Sequence, residues 1–553
     1  MNQRVRLVQI FFFIWAVMIV GRLFYWQVIK AEELRSQAKS QYSTSITLPA
    51  SRGEILSSDG FPIVTNTQNY LLYAQPKVFT RDNHELNQLA ELLPATGSAR
   101  EILFSIPKSK LSWIALAHGV DPELKKNIEA IGLPGLGFES EPSRFYPDAS
   151  ISAYLTGFVG KDDLGNQKGY FGLEGFYDRL LSGKPGKLIS EQDAFSRPIP
   201  IANQDKIVSQ NGGALTTSID RTLQYLVFQK LDEGIRKFQA DSGTITIIEA
   251  KTGHILAMAA LPGYIPDKYS QYNTSLYKNP IISDFYEPGS TFKAIVMASA
   301  LDSGILTPQT QCTICTGPVT LSGLKVHNYD DKYHPGSTMT DVILHSDNVG
   351  MVNVAQKLGR EKLLNYLRKF GFGKLTGVDL QEESSPQLRP DEQWREVDWG
   401  TAAFGQGIAV TRLQLLAAVN AIANRGEYVA PRVVTNLTQP SPFRVISQQS
   451  SLLITQMMVN GVEKGEVRYY KPSGFLVAGK TGTAQVPIEG HYDKDSSIAS
   501  FIGFAPADNP KFTMLVTLKN PRTAQWGSTS AAPIWFEVAK EIFRYYRISP
   551  QLN

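Results

Sequence analysis

The sequence has little cysteine, little net charge and a single long apolar run, and these shortages limit what the protein can be. Its two cysteines lack the strand-and-helix context of a redox-active pair. A net charge of +4 over 553 residues argues against a dedicated nucleic-acid binder. Beyond residues 7–29 no second run is long enough to cross a bilayer, so we expect the rest of the chain outside the cytoplasmic membrane. That remainder is apolar enough, within a chain that is 42% hydrophobic, to form several domains with real cores.

Residues 7–29 predict an uncleaved transmembrane anchor. The run is long enough for one spanning helix, and Arg22 lies near its far end, where its head can reach the interface beside Tyr25 and Trp26. A cleaved signal peptide would need small residues after the apolar core, and bulky residues follow here. Basic residues precede the run, so residues 1–6 should stay in the cytoplasm.

The cysteines, Cys312 and Cys315, allow three interpretations. A local disulfide or two packed thiols is preferred, since the compartment outside the membrane is oxidising. A zinc site with His327 and His334 is the third, although the ligand spacing is irregular.

The chain after the anchor divides near residue 212. Residues 30–211 show no catalytic grouping, since their one Ser-x-x-Lys match, Ser105 to Lys108, contains Pro107 and has no helix start before it, which predicts a loop. We expect an extended module that holds something else in place. From residue 212 the pattern changes to a strand, a helix capped by Asp220 and a hairpin. We therefore expect a pedestal over 30–211, a catalytic domain over 212–547 and a tail over 548–553.

The catalytic prediction begins at Ser290-x-x-Lys293. Residues three apart share a face of a helix, so the Ser290 hydroxyl and the Lys293 amine can meet within one turn. A serine becomes a useful nucleophile when a base takes its proton, and apolar surroundings lower the pKa of a lysine enough for that role. Taken alone, the pair could equally be a helix cap and a surface lysine.

Two downstream motifs supply what a serine-lysine site still needs. Ser346-x-Asn348 offers a hydroxyl and an amide where a loop turns into a helix. A strand then carries Lys480, Thr481, Gly482 and Thr483, with a fixed charge and hydroxyls that can bind a carboxylate.

These three motifs, in this order, are the signature of penicillin-recognising serine enzymes. The sequence resembles the class B penicillin-binding proteins, the D,D-transpeptidases that cross-link bacterial peptidoglycan, from the anchor to the last helix. Further segments match the family's pedestal and transpeptidase motifs, namely Arg52-Gly53-Glu54-Ile55 with Asp59-Gly60, Phe404-Gly405-Gln406-Gly407, Thr411-Arg412-Leu413-Gln414 and Ser500-Phe501-Ile502-Gly503-Phe504-Ala505-Pro506. The resemblance implies a multidomain α+β protein whose catalytic domain has a five-stranded antiparallel sheet covered by helices.

The septal, FtsI-like division type is the closer match, because Asn348 stands where the elongation type often has aspartate. Ser57-Ser58 and His345 depart from the usual pattern beside two motifs, and the Cys312–His345 stretch is similar to a zinc site of some elongation-type members. The elongation type therefore stays open as an alternative.

The resemblance also implies roles for the site residues. Ser290 is the nucleophile, Lys293 its base, Ser346 the proton relay and Lys480 a helper of that relay. Asn348 binds the substrate amide, and Lys480, Thr481 and Thr483 in the segment around Gly482 receive the terminal carboxylate. Backbone N–H groups of Ser290 and Thr483 hold the oxyanion. No metal or organic cofactor is required.

The expected ligands are stem peptides ending in D-Ala-D-Ala and the β-lactams that mimic them. A SEDS-family glycosyltransferase and division proteins in the membrane are the implied partners. Three rivals stay open. A β-lactamase would need a base for a deacylating water and fits poorly with the anchor and pedestal, a β-lactam sensor would usually carry more spans, and a silent scaffold would not need three intact motifs.

Overall fold

A computed structural model describes residues 3–48, 50–76, 78, 83–93, 103, 106, 113–163, 165–191, 205–488 and 491–550. Its helices there are α1 (Gln3–Phe24), α2 (Ala31–Tyr42), α3 (Asn83–Leu92), α4 (Pro122–Ile131), α5 (Ala153–Thr156), α6 (Gly172–Phe176), α7 (Asp178–Leu181), α8 (Arg221–Phe238), α9 (Pro280–Ser283), α10 (Lys293–Asp302), α11 (Met339–Leu344), α12 (Asn348–Leu358), α13 (Arg360–Lys369), α14 (Glu396–Ala402), α15 (Arg412–Ala423), α16 (Gln448–Lys464) and α17 (Ala531–Tyr545). The strands are β1 (Ser43–Leu48), β2 (Ile55–Leu56), β3 (Pro62–Ala74), β4 (Ile114–Val120), β5 (Leu136–Phe145), β6 (Phe158–Lys161), β7 (Gln167–Tyr170), β8 (Gly186–Glu191), β9 (Asp205–Ile207), β10 (Leu215–Thr216), β11 (Ser242–Glu249), β12 (Ile255–Leu261), β13 (Val319–Leu321), β14 (Leu324–Val326), β15 (Glu427–Tyr428), β16 (Phe443–Arg444), β17 (Ala478–Ile488), β18 (His491–Ala505) and β19 (Phe512–Lys519).

The chain forms two compact units, and the first combines Met1–Arg52 with Ser182–Gly213. Here α1 continues into a π-helical segment, Tyr25–Ile29, and none of the side chains in this stretch is buried. Gln3–Ile29, with a mean hydropathy of 2.2 in its most apolar window, is the one helical stretch of the described residues that is long and apolar enough to cross a membrane. Strands β1, β8 and β9 form a small antiparallel sheet in the same unit.

The second unit comprises Gly53–Leu181 and Ala214–Asn553. In its first part the 13-residue strand β3 pairs antiparallel with β2, β4 and β5. A buried ion pair stabilises this part, because the Nε of Arg144 lies 2.6 Å from Glu174 Oε1 and both side chains are almost fully buried. Arg144 also donates to the carbonyl oxygen of Gly53, so the guanidinium is well satisfied.

The catalytic part of this unit is built on a five-stranded antiparallel sheet of order β12-β11-β19-β18-β17, which confirms the predicted fold. Strand β19 shows why both faces of the sheet must be covered. Its alternate residues, which point to one face, pack in the core that contains α8 and Trp535 of α17, and they are Phe512, Met514, Val516 and Leu518. Leu515 lies in the opposite core, with the apolar helices α10 and α15.

Helix α10 is buried along nearly its whole length, from Lys293 to Leu301. The sequence predicts a helix over residues 291–303, and the structure divides it into a 3₁₀ turn at Gly289–Phe292 followed by α10. Ser290 therefore lies in the tight turn, and Lys293 is the first residue of the regular helix. The helix ends before Gly304, as predicted, and Gly304 adopts a left-handed φ of 71°.

Candidate active site

The turn that carries Ser290 is fixed by close backbone packing on two sides. Gly289 has a φ of 55° and donates its N–H to the carbonyl oxygen of Gly405 at 3.1 Å. A Cβ on Gly405 would come within 2.1 Å of the Gly289 carbonyl oxygen, so only glycine fits at that position. On the other side, a Cβ on Gly482 would meet Ser500 Oγ at 2.6 Å and Thr291 Cγ2 at 2.8 Å. The turn that carries Ser290 thus lies directly against strand β17.

Lys293 is fully buried, and its amine faces the second motif. Nζ lies 2.5 Å from the carbonyl oxygen of Ser346, 3.2 Å from Ser346 Oγ and 2.7 Å from Asn348 Oδ1. Burial, and then the charge of Lys480, hold the pKa of Lys293 well below its usual 10.5, with the charge of Asp347 opposing them. A neutral amine in this setting can donate to two acceptors and keep a lone pair for a hydroxyl proton.

The Ser346 segment is held in a strained loop between α11 and α12. Ser346 has a φ of 53°, which is unusual for a residue with a side chain. Asp347 caps α12 by accepting the N–H of Gly350 at 2.7 Å. Asn328 adds a second restraint, because its Oδ1 accepts the backbone N–H of Asn348 at 2.8 Å. Ser346 Oγ is thereby fixed between two lysines.

Lys480 reaches the same hydroxyl from strand β17. Its Nζ lies 2.9 Å from Ser346 Oγ and 3.2 Å from the carbonyl oxygen of Thr481, and its side chain is buried. Burial lowers the pKa of Lys480 to about 8, with the charge of Glu466 opposing the shift. Both lysines are therefore perturbed, and by the same physical cause, removal from water.

Thr483 lies three residues further along β17. Its Oγ1 accepts the backbone N–H of Gly527 at 2.9 Å, which leaves the hydroxyl proton free for a substrate oxygen. A Cβ on Gly289 would lie 3.2 Å from the Thr483 carbonyl oxygen. The Ser290 turn and the Thr483 segment are thus in contact.

The structure brings Lys293, Ser346, Asn348 and Lys480 into one hydrogen-bonded set. The predicted contact between Ser290 and Lys293 is not made: among the described residues Ser290 Oγ takes part in no hydrogen bond, because the Lys293 amine is held by Ser346 and Asn348. Such contacts are often long in enzymes without substrate and shorten when it binds.

Sequence reasoning missed the residues that support this set. Asn328, Glu466 and Gly527 lie outside every motif, and no spacing pattern singled them out. For Asp347 a signal existed, since it stands inside the Ser346-x-Asn348 motif, but its role as a helix cap and buried charge was not recognised.

Cys312 and Cys315 form a disulfide, with an S–S distance of 2.09 Å and a Cα–Cα distance of 5.7 Å. The local disulfide is one of the alternatives that the sequence leaves open. Both sulfur atoms are used in this bond, so neither is left as a thiol for the zinc alternative. His334 stacks on His345, with ring centroids 4.2 Å apart, and His327 Nδ1 lies 2.9 Å from Asp331 Oδ1. Within the described residues no three His, Cys, Asp or Glu side chains are grouped so as to hold a metal ion.

Comparison with known proteins agrees with this geometry. A model of the penicillin binding protein transpeptidase domain matches residues 243–544, and one of the penicillin-binding protein dimerisation domain matches residues 47–217. The chain is 32% identical to stage V sporulation protein D of Bacillus subtilis, over all of this chain and 87% of the relative. It is 29% identical to peptidoglycan D,D-transpeptidase FtsI of Escherichia coli, over 96% of this chain and 90% of the relative. The crystal structure of penicillin binding protein 2X from Streptococcus thermophilus has the same fold, with a TM-score of 0.74 over 91% of this chain and 80% of that chain, at 23% identity.

Proposed function

This chain belongs to the penicillin-binding protein transpeptidases, and on that premise we propose that Ser290 carries the acyl group while the enzyme cross-links peptidoglycan. The family's activity is the D,D-transpeptidation of stem peptides, and the same site binds β-lactams. The observation that carries our assignment of roles is the position of Ser346 Oγ, 3.2 Å from Lys293 Nζ and 2.9 Å from Lys480 Nζ.

In the acylation step, neutral Lys293 accepts the proton of Ser290. Ser290 Oγ then attacks the carbonyl carbon of the penultimate D-alanine. The backbone N–H groups of Ser290 and Thr483 stabilise the resulting oxyanion, a contribution of roughly 3 kcal/mol for each donor. The C–N bond to the terminal D-alanine breaks, and Ser346 passes a proton to the leaving nitrogen while Lys293 resupplies that proton.

Substrate is held at both ends of the reacting bond. Lys480 and the hydroxyls of Thr481 and Thr483 bind the terminal carboxylate, and Gly482 between them allows the Ser290 turn to pack against this strand. Asn348 binds the amide of the peptide. In the second half-reaction, the amine of another stem peptide loses a proton to the same relay and attacks the acyl carbon. The bond from that carbon to Ser290 Oγ breaks, and Ser290 takes a proton back from Lys293. A β-lactam enters the first half-reaction, and its acyl-enzyme persists.

We further propose a septal role in cell division, with the elongation type as the alternative. The chain would sit in the inner membrane through residues 7–29, with its N-terminus in the cytoplasm, a pedestal over 30–211 and a catalytic domain over 212–547 outside. A SEDS-family glycosyltransferase and division proteins would contact the span and the pedestal. Depletion of the protein separates the two roles, because cells should form filaments for a septal enzyme and become round for an elongation enzyme.

Labelling with a fluorescent penicillin tests the assignment of the nucleophile. Wild type should label covalently, and Ser290→Ala should not. Ser303→Ala, a serine at the far end of the α10 segment, is the matched control and should label normally. Labelling that survives in Ser290→Ala, or that never occurs in wild type, would refute the assignment.

A further inference from the structure

Two half-exposed aromatic side chains meet beside the active site. The ring centroids of Tyr329 and Trp526 lie 5.7 Å apart, with their planes at 57°. Tyr329 is 52% exposed and Trp526 is 49% exposed. Tyrosine and tryptophan are enriched where a protein contacts another surface, and here two of them lie together rather than singly.

Each ring is attached to a different side of the site. Tyr329 directly follows Asn328, whose Oδ1 accepts the backbone N–H groups of Asn348 and Val349. Trp526 directly precedes Gly527, whose N–H binds Thr483 Oγ1. The ring contact therefore joins the loop that supports Asn348 to the loop that supports the carboxylate-binding strand.

A third residue holds the tyrosine in place. The Tyr329 hydroxyl donates to Glu466 Oε1 at 2.9 Å. Glu466 begins a short 3₁₀ turn, Glu466–Tyr469, just beyond α16. A hydrogen bond to a carboxylate is stronger than one between neutral groups, so it adds to the cost of moving the ring.

We propose that Tyr329, Trp526 and Glu466 form an aromatic strap across the mouth of the site, which bulky substrates must displace to reach Ser290. The proposal rests on the Ser290-centred site described under Proposed function. When the strap is closed in most molecules, the apparent affinity for a large ligand equals the affinity of the open form multiplied by the fraction of molecules that are open. A small ligand can pass beneath the rings and is affected less. The strap therefore makes entry depend on the size of the group attached to the reacting amide.

The test compares second-order acylation rates of the full-length protein in detergent. The probes are benzylpenicillin, which is small, and a penicillin that carries a large fluorophore. Trp526→Ala removes the ring contact and should raise the rate with the fluorophore-bearing penicillin about 3- to 10-fold, the range expected for loss of one aromatic pair. The rate with benzylpenicillin should change less than 2-fold, an estimate that follows from its passing beneath the rings.

Tyr329→Phe provides a second variant that keeps the ring and loses the bond to Glu466. It should also raise the acylation rate with the bulky penicillin, by a smaller factor than Trp526→Ala does. The double variant should match Trp526→Ala alone, because both changes open one strap.

Trp113→Ala is the matched control. It removes a 41% exposed tryptophan from another ring pair, with Tyr73 at 5.8 Å, in the region before the catalytic domain, and should leave both rates unchanged. Equal rates in wild type and Trp526→Ala, or a fall with the bulky penicillin, would overturn the strap. If either of these results is obtained while labelling still requires Ser290, only the strap is refuted. If Ser290→Ala still labels, the proposed function is refuted.

Discussion

The acylation rate should begin to fall at a lower pH than is usual for a lysine-dependent step, because the charge that we propose binds the substrate carboxylate is carried by a buried lysine, Lys480. The pKa of Lys480 is lowered by burial to about 8, from an ordinary 10.5. Its protonated form is the one that attracts a carboxylate. The sign is therefore fixed: the active form is present below pH 8 and is lost as the pH rises through that value.

The size of the loss follows from the pKa. With a value of about 8, roughly nine tenths of the Lys480 side chains are protonated at pH 7 and roughly one tenth at pH 9. The second-order acylation rate should fall about 10-fold between those two values. An ordinary surface lysine would stay almost fully protonated over the same range, and the rate would be flat.

Stopped-flow acylation by a fluorescent penicillin between pH 6.5 and 10 measures this alkaline limb of the pH–rate profile, with hydrolysis of the reagent subtracted at each pH. Lys480→Arg is the control, because the guanidinium does not titrate in this range. It should react more slowly, since Lys480 Nζ fits between Ser346 Oγ and the Thr481 carbonyl oxygen, but its rate should no longer fall between pH 7 and 9. A flat wild-type profile up to pH 10, or the same 10-fold fall in Lys480→Arg, would refute the reasoning.

Three further predictions concern the acid limb, the packing of the site and the stability of the fold. Asp347→Asn removes the charge that raises the pKa of Lys293, so the acid limb of the acylation profile should move to lower pH, and a shift to higher pH would contradict this. Gly482→Ala should slow acylation at least 10-fold and destabilise the protein by about 1–3 kcal/mol, because its Cβ would overlap Ser500 and Thr291. Gly461→Ala in α16, whose Cβ would have no neighbour closer than 3.9 Å, should label like wild type and should not unfold more easily, because alanine is about 1 kcal/mol more favourable than glycine inside a helix. Glu174→Gln breaks the buried ion pair and should cost about 3–5 kcal/mol in urea unfolding while Ser290 still labels in the folded fraction, and a change below about 1 kcal/mol would refute that estimate.

The sequence indicates the residues that we propose to react, because each lies in a short motif whose spacing encodes a local structure. Ser290 and Lys293 share one turn, and Ser346 and Asn348 lie at one loop-to-helix junction. The order of the three motifs then identified the family, and the family supplied the five-stranded sheet. That sheet could not be read from the strand patterns themselves, since β19 lies between β11 and β18 and joins segments more than 240 residues apart.

The supporting contacts were not predictable, because they depend on distant loops. Asn328 restrains Asn348 from 20 residues away, and Gly527 binds Thr483 from 44 residues away. Side-chain hydrogen bonds of this kind have no periodic signature. The same limit explains the position of the Lys293 amine. Helical spacing places it near Ser290, but the acceptors that hold it come from the Ser346 loop.

The two lysines also show how one site can assign opposite roles to identical side chains. Both amines contact Ser346 Oγ, so two positive charges would repel each other in a buried region of low dielectric constant. The charge of Lys480 lowers the pKa of Lys293, and the charge of Glu466 raises the pKa of Lys480. Their environments therefore push the pKa values of Lys293 and Lys480 apart. One lysine can then act as a base while the other carries a positive charge. We therefore assign the base to Lys293, whose pKa is lowered by burial and by the charge of Lys480, and the cation to Lys480, where the charge of Glu466 opposes the lowering of the pKa by burial.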